Sequence, residues 1–145
     1  MIDPERSESI AAALRDLLRA HLGRAELEFA DGPARLLGGN HTFVHAFSLA
    51  GAEPPWDGPL VLRILRAHRA ADEVVFETAL QNALAPLAPR VLVHDVDTTP
   101  LGGAFQVMER VPGKALLLEE VGQDVGRLHM LGEALRGFRK LNFDP

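Results

Sequence analysis

Cysteine is absent from all 145 residues, which removes disulfide frameworks, thiol nucleophiles and cysteine-ligated zinc or iron–sulfur sites. A chain without thiols fits a reducing compartment. Basic excess is lacking too. Fifteen Lys and Arg stand against twenty Asp and Glu, a formal net charge of −5, the reverse of the cationic footprint by which proteins hold nucleic acid. No apolar run approaches the roughly 18 residues of a membrane span. The polar start Met1-Ile2-Asp3-Pro4-Glu5-Arg6 has no signal-peptide core. A Gly-x-Ser-x-Gly elbow, a His-Glu-x-x-His pair and a Walker lysine loop are likewise missing. These absences point to a soluble, cytoplasmic chain with neither nucleic acid nor membrane as partner. Hydrophobic residues make up 47% and charged residues 24%, enough apolar side chain to bury a core. The length suits one domain or part of a larger one.

Asp3 as cap, Pro4 at the first helical position and Gly23 at the exit predict an opening helix. Between them Ile10, Leu14, Leu17, Leu18 and Leu22 recur at helical spacing. After Gly23 the period becomes two. Ala25, Leu27 and Phe29 alternate with Glu26 and Glu28, predicting a half-buried strand. Asp31-Gly32-Pro33 is a turn or bulge signal, and the strand resumes at Ala34. Thr42 to Leu49 is rich in β-branched and aromatic residues and predicts a second strand. A Pro- and Gly-rich loop from Ala50 to Pro59 follows, with Trp56 expected to fold over the sheet edge. Leu60 to Leu65 predicts a buried third strand, and about Ala70 to Leu84 a helix with Val74, Phe76, Leu80 and Leu84 inward. Arg90 to His94 and Ala104 to Arg110 read as a hairpin around a polar loop. The tail from about Leu117 to Leu141 has helical spacing interrupted by glycines. The expected fold is α+β: a five-stranded, mainly antiparallel sheet with one packed helix, an N-terminal helix, and a C-terminal helix after a linker.

Three features along that topology can carry chemistry. Gly38, Gly39 and Asn40 form either a plain hairpin turn or a backbone cradle for phosphate oxygens. Arg63 is a lone cation in an apolar strand. It either reaches solvent at an edge or pairs with Glu73 or Glu77, which lie on one face of the next helix. The third is Phe105-Gln106-Val107-Met108-Glu109-Arg110-Val111-Pro112-Gly113, a strand running into an extended break where a flat heterocycle can pair with exposed backbone.

A glycine turn, a third-strand cation, a helical glutamate and a hairpin ending in Met-Glu-x-Val-x-Gly occur here in order. The blocks "LLGGNHTFVHAF", "PLVLRIL", "FETALQNALAPLAPRVL" and "GGAFQVMERVPG" resemble the small lobe of the protein-kinase-like fold, most closely the aminoglycoside phosphotransferase family. The tail "VGRLHMLGEAL" resembles the helix that begins the large lobe. The resemblance implies an N-terminal helix over residues 1–23, a nucleotide-binding small lobe over 24–111, and a linker with the first large-lobe helix over 112–145. It also implies ATP as the bound nucleotide. Gly38, Gly39 and Asn40 would cover its phosphates, and Arg63, in place of the usual lysine, would hold the α- and β-phosphates. Glu77 would orient Arg63, Met108 would border the adenine, and the Glu109 carbonyl and Val111 N–H would pair with the adenine edge. Arg63 is no simple substitute for lysine, because its planar fork grips phosphate with different geometry.

Phosphoryl transfer also needs a base for the substrate hydroxyl and ligands for Mg²⁺. In the resembled family these lie in a His-x-Asp loop, a downstream Asn and a later Asp of the large lobe. Here His94-Asp95-Val96-Asp97 is the only local match, no Asn follows at the required distance, and its place in the hairpin reads as a turn. His41 and His45 would lie about 13 Å apart along a strand, too far for one metal ion. The expected function is therefore the ATP-binding lobe of a small-molecule kinase, with no catalytic or metal-ligating residue of its own and the catalytic lobe outside this chain. The full enzyme would use Mg²⁺ and pass the γ-phosphate to a small-molecule hydroxyl. The alternative is a non-catalytic binding or assembly module with the same small-lobe fold, prone to self-association through apolar surface left open.

Overall fold

The computed structural model describes residues 2–36, 41–66 and 72–113. Its elements run α1 (Ser7–Leu22), β1 (Phe29–Arg35), β2 (Thr42–Leu49), β3 (Leu60–Leu65), α2 (Glu73–Ala83), β4 (Val91–Asp95) and β5 (Phe105–Glu109). The strands form one sheet in the order β1-β2-β3-β5-β4, with every neighbouring pair antiparallel. This is the α+β arrangement of a kinase-like small lobe. It lies in one compact unit, Met1–Val111, and only that unit is described below. The helix expected over about 117–141 lies outside the described residues, as do Gly38, Gly39, Asn40 and the first residues expected of the second helix.

β2 and β3 take the limits that their side chains dictate. β-branched and aromatic residues favour the pleat, and the Gly/Pro-rich loop between them cannot join it. On the two-residue period Phe43, Phe47 and Leu49 of β2 share a face with Leu60, Leu62 and Ile64 of β3 and with Phe105 and Val107 of β5. α1 closes this face with Ile10, Leu14 and Leu18, each without solvent exposure. Burying each such side chain contributes about 1.5–3 kcal/mol. Trp56 belongs to the same core, its ring tilted against His21 at 5.7 Å. Among the described residues no helix is long and apolar enough to cross a membrane.

α1 does not begin at Pro4. Asp3 organises a turn of its own ahead of the helix: its carboxylate accepts from Glu5 N–H at 3.0 Å and its carbonyl from Arg6 N–H at 3.1 Å. Arg6, in extended conformation, is the N-cap. The Pro4 carbonyl is drawn instead to His45, a fully buried side chain on the α1 face of β2. His45 Nε2 donates to that carbonyl at 2.9 Å, so Nδ1, 3.1 Å from the Ser7 hydroxyl, is the acceptor. Burial pushes the His45 pKa below its ordinary value, against the Pro4 bond, and the nearby Arg35 charge acts in the same direction as burial. At the other end Gly23 closes α1 with φ 65°, its N–H on the Arg19 carbonyl.

β1 begins at Phe29 rather than Ala25, because Arg24 to Leu27 close a turn through a 3.2 Å backbone bond. The Asp31-Gly32-Pro33 signal marks register shifts against β2, and Ser48 Oγ both donates to the Asp31 carboxylate and accepts its N–H.

The largest correction concerns α2. Phe76, Leu80 and Leu84, expected inward, are 70%, 47% and 43% exposed, and the buried residues of the helix are Val74 and Thr78. The sheet face under α2 carries Arg63 and Gln106, and buried polar groups without partners cost more than exposed leucines. The helix therefore turns its polar side inward. Asn82 completes that side: its amide donates to the Val91 carbonyl at 3.1 Å and accepts Val91 N–H at 2.8 Å, tying α2 to β4. Between β4 and β5, Asp95 and Asp97 accept the N–H groups of Asp97 and Thr99 at 3.0 and 2.8 Å, so this segment is a turn.

Candidate functional site

Strand pairing brings Val44, Arg63 and Gln106 into one row across β2, β3 and β5, on the face away from α1. The next row holds Ala46, Val61 and Met108. α2 crosses above the first row. Its one-turn spacing places Val74, Glu77, Thr78 and Gln81 over the strands that carry Arg63 and Gln106.

Arg63 Nη1 donates to Glu77 Oε2 at 2.6 Å and to Gln106 Oε1 at 3.1 Å. Of the two glutamates on that helix face, Glu77 thus holds the salt bridge to Arg63. Both side chains are half-buried, 27% and 28% exposed, which keeps the pair within reach of a ligand and shields it from full solvent screening. Gln106 has no exposure. Its Nε2 donates to Thr78 Oγ1 at 2.8 Å and reaches the Val74 carbonyl at 3.5 Å.

Met108 is buried, with its sulfur 3.5 Å from Gln81 Nε2, and that same amide donates to the Pro89 carbonyl at 2.6 Å. Glu109 N–H donates to the Arg90 carbonyl at 3.0 Å and Arg110 N–H to the Pro59 carbonyl at 2.9 Å. Successive residues of an extended chain turn their backbone groups to opposite sides. Arg110 thus turns toward Pro59 and Glu109 toward Arg90, on opposite sides of the strand. Val111 is exposed.

A hollow of about 250 Å³ opens beside the ion pair, lined by Arg63, Glu77, Leu80, Gln81, Leu84, Ala88 and Pro89. A second, of about 420 Å³, is lined by Asp72, Glu73, Phe76 and Glu77. Among the described residues, three carboxylates line the second hollow, whereas the first carries the Arg63 guanidinium beside Glu77. Among the described residues no group of three or more His, Asp or Glu could hold a metal ion.

Arg63 and Glu77 are therefore in direct contact, Met108 lies one row along on the same face, Glu109 ends that strand and Val111 follows just beyond it. Gln106 and Thr78 join the cluster without having been singled out from sequence. The signal for Gln106 was a polar residue two positions before Met108 in an apolar strand, the same anomaly that marked Arg63. Val44, Ala46 and Val61 were legible only as strand residues, since their role comes from cross-strand register.

Residues 52–145 match the model of the phosphotransferase enzyme family. No curated protein and no solved structure matches the chain.

Proposed function

Since the chain belongs to the phosphotransferase enzyme family, we propose that its sheet-and-helix unit is the ATP-binding lobe of a small-molecule kinase. The observation that carries this reading is the half-buried pair of Arg63 on the third strand and Glu77 on α2, set on the sheet face opposite the packed core. In this reading Arg63 holds the α- and β-phosphates and Glu77 orients it. Gly38, Gly39 and Asn40 cover the phosphates. Ala46 and Val61 form an apolar floor for adenine beside Met108, and the Glu109 carbonyl and Val111 N–H pair with its edge.

In the complete catalytic unit the γ-phosphate passes to a hydroxyl of a small molecule, with Mg²⁺ neutralising charge on the phosphates. In this reading the protein ligands of that ion belong to the catalytic lobe. The His-x-Asp loop and downstream Asn of the family are not among these 145 residues, and the chain alone binds nucleotide without turnover. The reading places the protein in the cytoplasm, where ATP is supplied, and its acidic balance leaves nucleic acid outside the proposed partners.

Calorimetric titration of the 145-residue chain with ATP is the test. Weak binding is expected, with about tenfold loss in Arg63→Ala, the worth of one charge-assisted hydrogen bond. Unchanged affinity in that variant returns Arg63 to a structural role, and robust phosphorylation by this chain defeats the claim that it lacks the transfer machinery.

The exposed Phe76, Leu80, Leu84 and Leu87 favour one second reading, a non-catalytic assembly module that self-associates through this apolar surface. Light scattering separates the two. A monomer that ignores nucleotide contradicts both.

A further inference from the structure

We propose that Gln106 is a positioning residue that adapts the site to an arginine on the third strand. The inference rests on the reading of Arg63 as the phosphate-holding cation. Nη1 of Arg63 carries two hydrogens. One is directed to Glu77 at 2.6 Å and the other to Gln106 at 3.1 Å. Gln106 is in turn fixed from behind by Thr78 at 2.8 Å and has no solvent exposure.

A lysine in this place would be a point charge, and one carboxylate would suffice to hold it. A guanidinium is a flat fork, and a single contact leaves it free to swing about that contact. Two acceptors on one nitrogen, from α2 and from β5, remove the swing. With Nη1 committed inside the protein, phosphate oxygens are met by the Nη2 and Nε edge, the paired geometry in which arginine grips an oxyanion best. Gln106 touches no ligand in this account. It acts through Arg63 alone.

The experiment compares ADP with adenosine by calorimetry on the 145-residue chain, because only ADP reports on the Arg63 contact. The ratio of the two dissociation constants is the phosphate preference. Gln106→Met is expected to reduce that preference by about tenfold, or abolish it where it is smaller, with adenosine affinity unchanged. Adding Arg63→Lys to Gln106→Met is expected to recover it, since a point charge needs no second anchor.

A residue that merely supports the fold would weaken both ligands alike, and that result, or an unchanged preference, overturns the proposal. Should Gln106→Met fail to fold by circular dichroism, Thr78→Val removes the anchor behind Gln106. It is expected to lower the preference in the same direction by less, and no change there is equally fatal. Absence of any nucleotide binding by the wild type overturns the ATP reading and this inference with it. A preference retained in Gln106→Met overturns this inference alone.

Discussion

On one side of β3, Leu60, Leu62 and Ile64 have no solvent exposure and meet Ile10, Leu14 and Leu18 of α1. On the other side the same strand offers Arg63, and α2 answers it with Glu77, while Thr78 answers Gln106 beside it. α1 buries its leucines, and α2 leaves Phe76, Leu80 and Leu84 in the open. One sheet thus carries a closed apolar face and a polar face, the second being the one proposed to bind nucleotide. The second forgoes apolar burial to keep a cation and its partners in fixed geometry.

The widest contrast between the faces is energetic. Leu14→Ala is expected to cost about 2–5 kcal/mol, as truncation of a fully packed leucine does. Leu80→Ala is expected to change stability by no more than about 0.5 kcal/mol, as exposed positions do. Urea unfolding of the two variants measures both, and equal losses would mean that the α2 face is covered in solution. Asn82→Ala comes next. It strands both backbone groups of Val91, and an expected loss of about 1–3 kcal/mol would show that the α2 face has structural anchors of its own. A loss below that of Leu80→Ala would remove the Asn82 contact from the account.

The smallest effect concerns acid. His45 is held neutral with its pKa lowered, so the unfolded chain takes up its proton first as pH falls below the usual histidine value of 6.5. Stability should therefore be full above that value and decline with acid until the folded ring protonates as well. His45→Gln keeps a donor for Pro4 and an acceptor for Ser7 without the charge. It should flatten that part of the profile, and an unaltered acid slope would show that His45 does not set it.

Legibility in the sequence followed the same division. α1, β2 and β3 could be read from periodicity, because on the closed face apolarity and burial coincide. α2 could be located but not oriented. Its leucines outweigh its polar residues in any apolar pattern, and only the partners demanded by Arg63 and Gln106 turn it over. Arg63 stood out as a charge in an apolar strand, whereas Gln106, uncharged, did not, although on β5 it lies directly across from Arg63. The choice of Glu77 over Glu73 is a matter of helix phase. Spacing alone places both on one face, and contact with Arg63 distinguishes them.

An open sheet has two margins, and each invites a strand from another molecule. Here each carries a feature that hinders one. At the β1 margin, Pro33 contributes no N–H and the two register shifts spoil the straight row of donors and acceptors that a newcomer would copy. At the β4 margin, the Asn82 amide occupies the outward N–H and carbonyl of Val91, as a peptide bond from an added strand would. One side chain thus imitates a sixth strand at the point where a real one would begin, and removing it would offer that place to a neighbour.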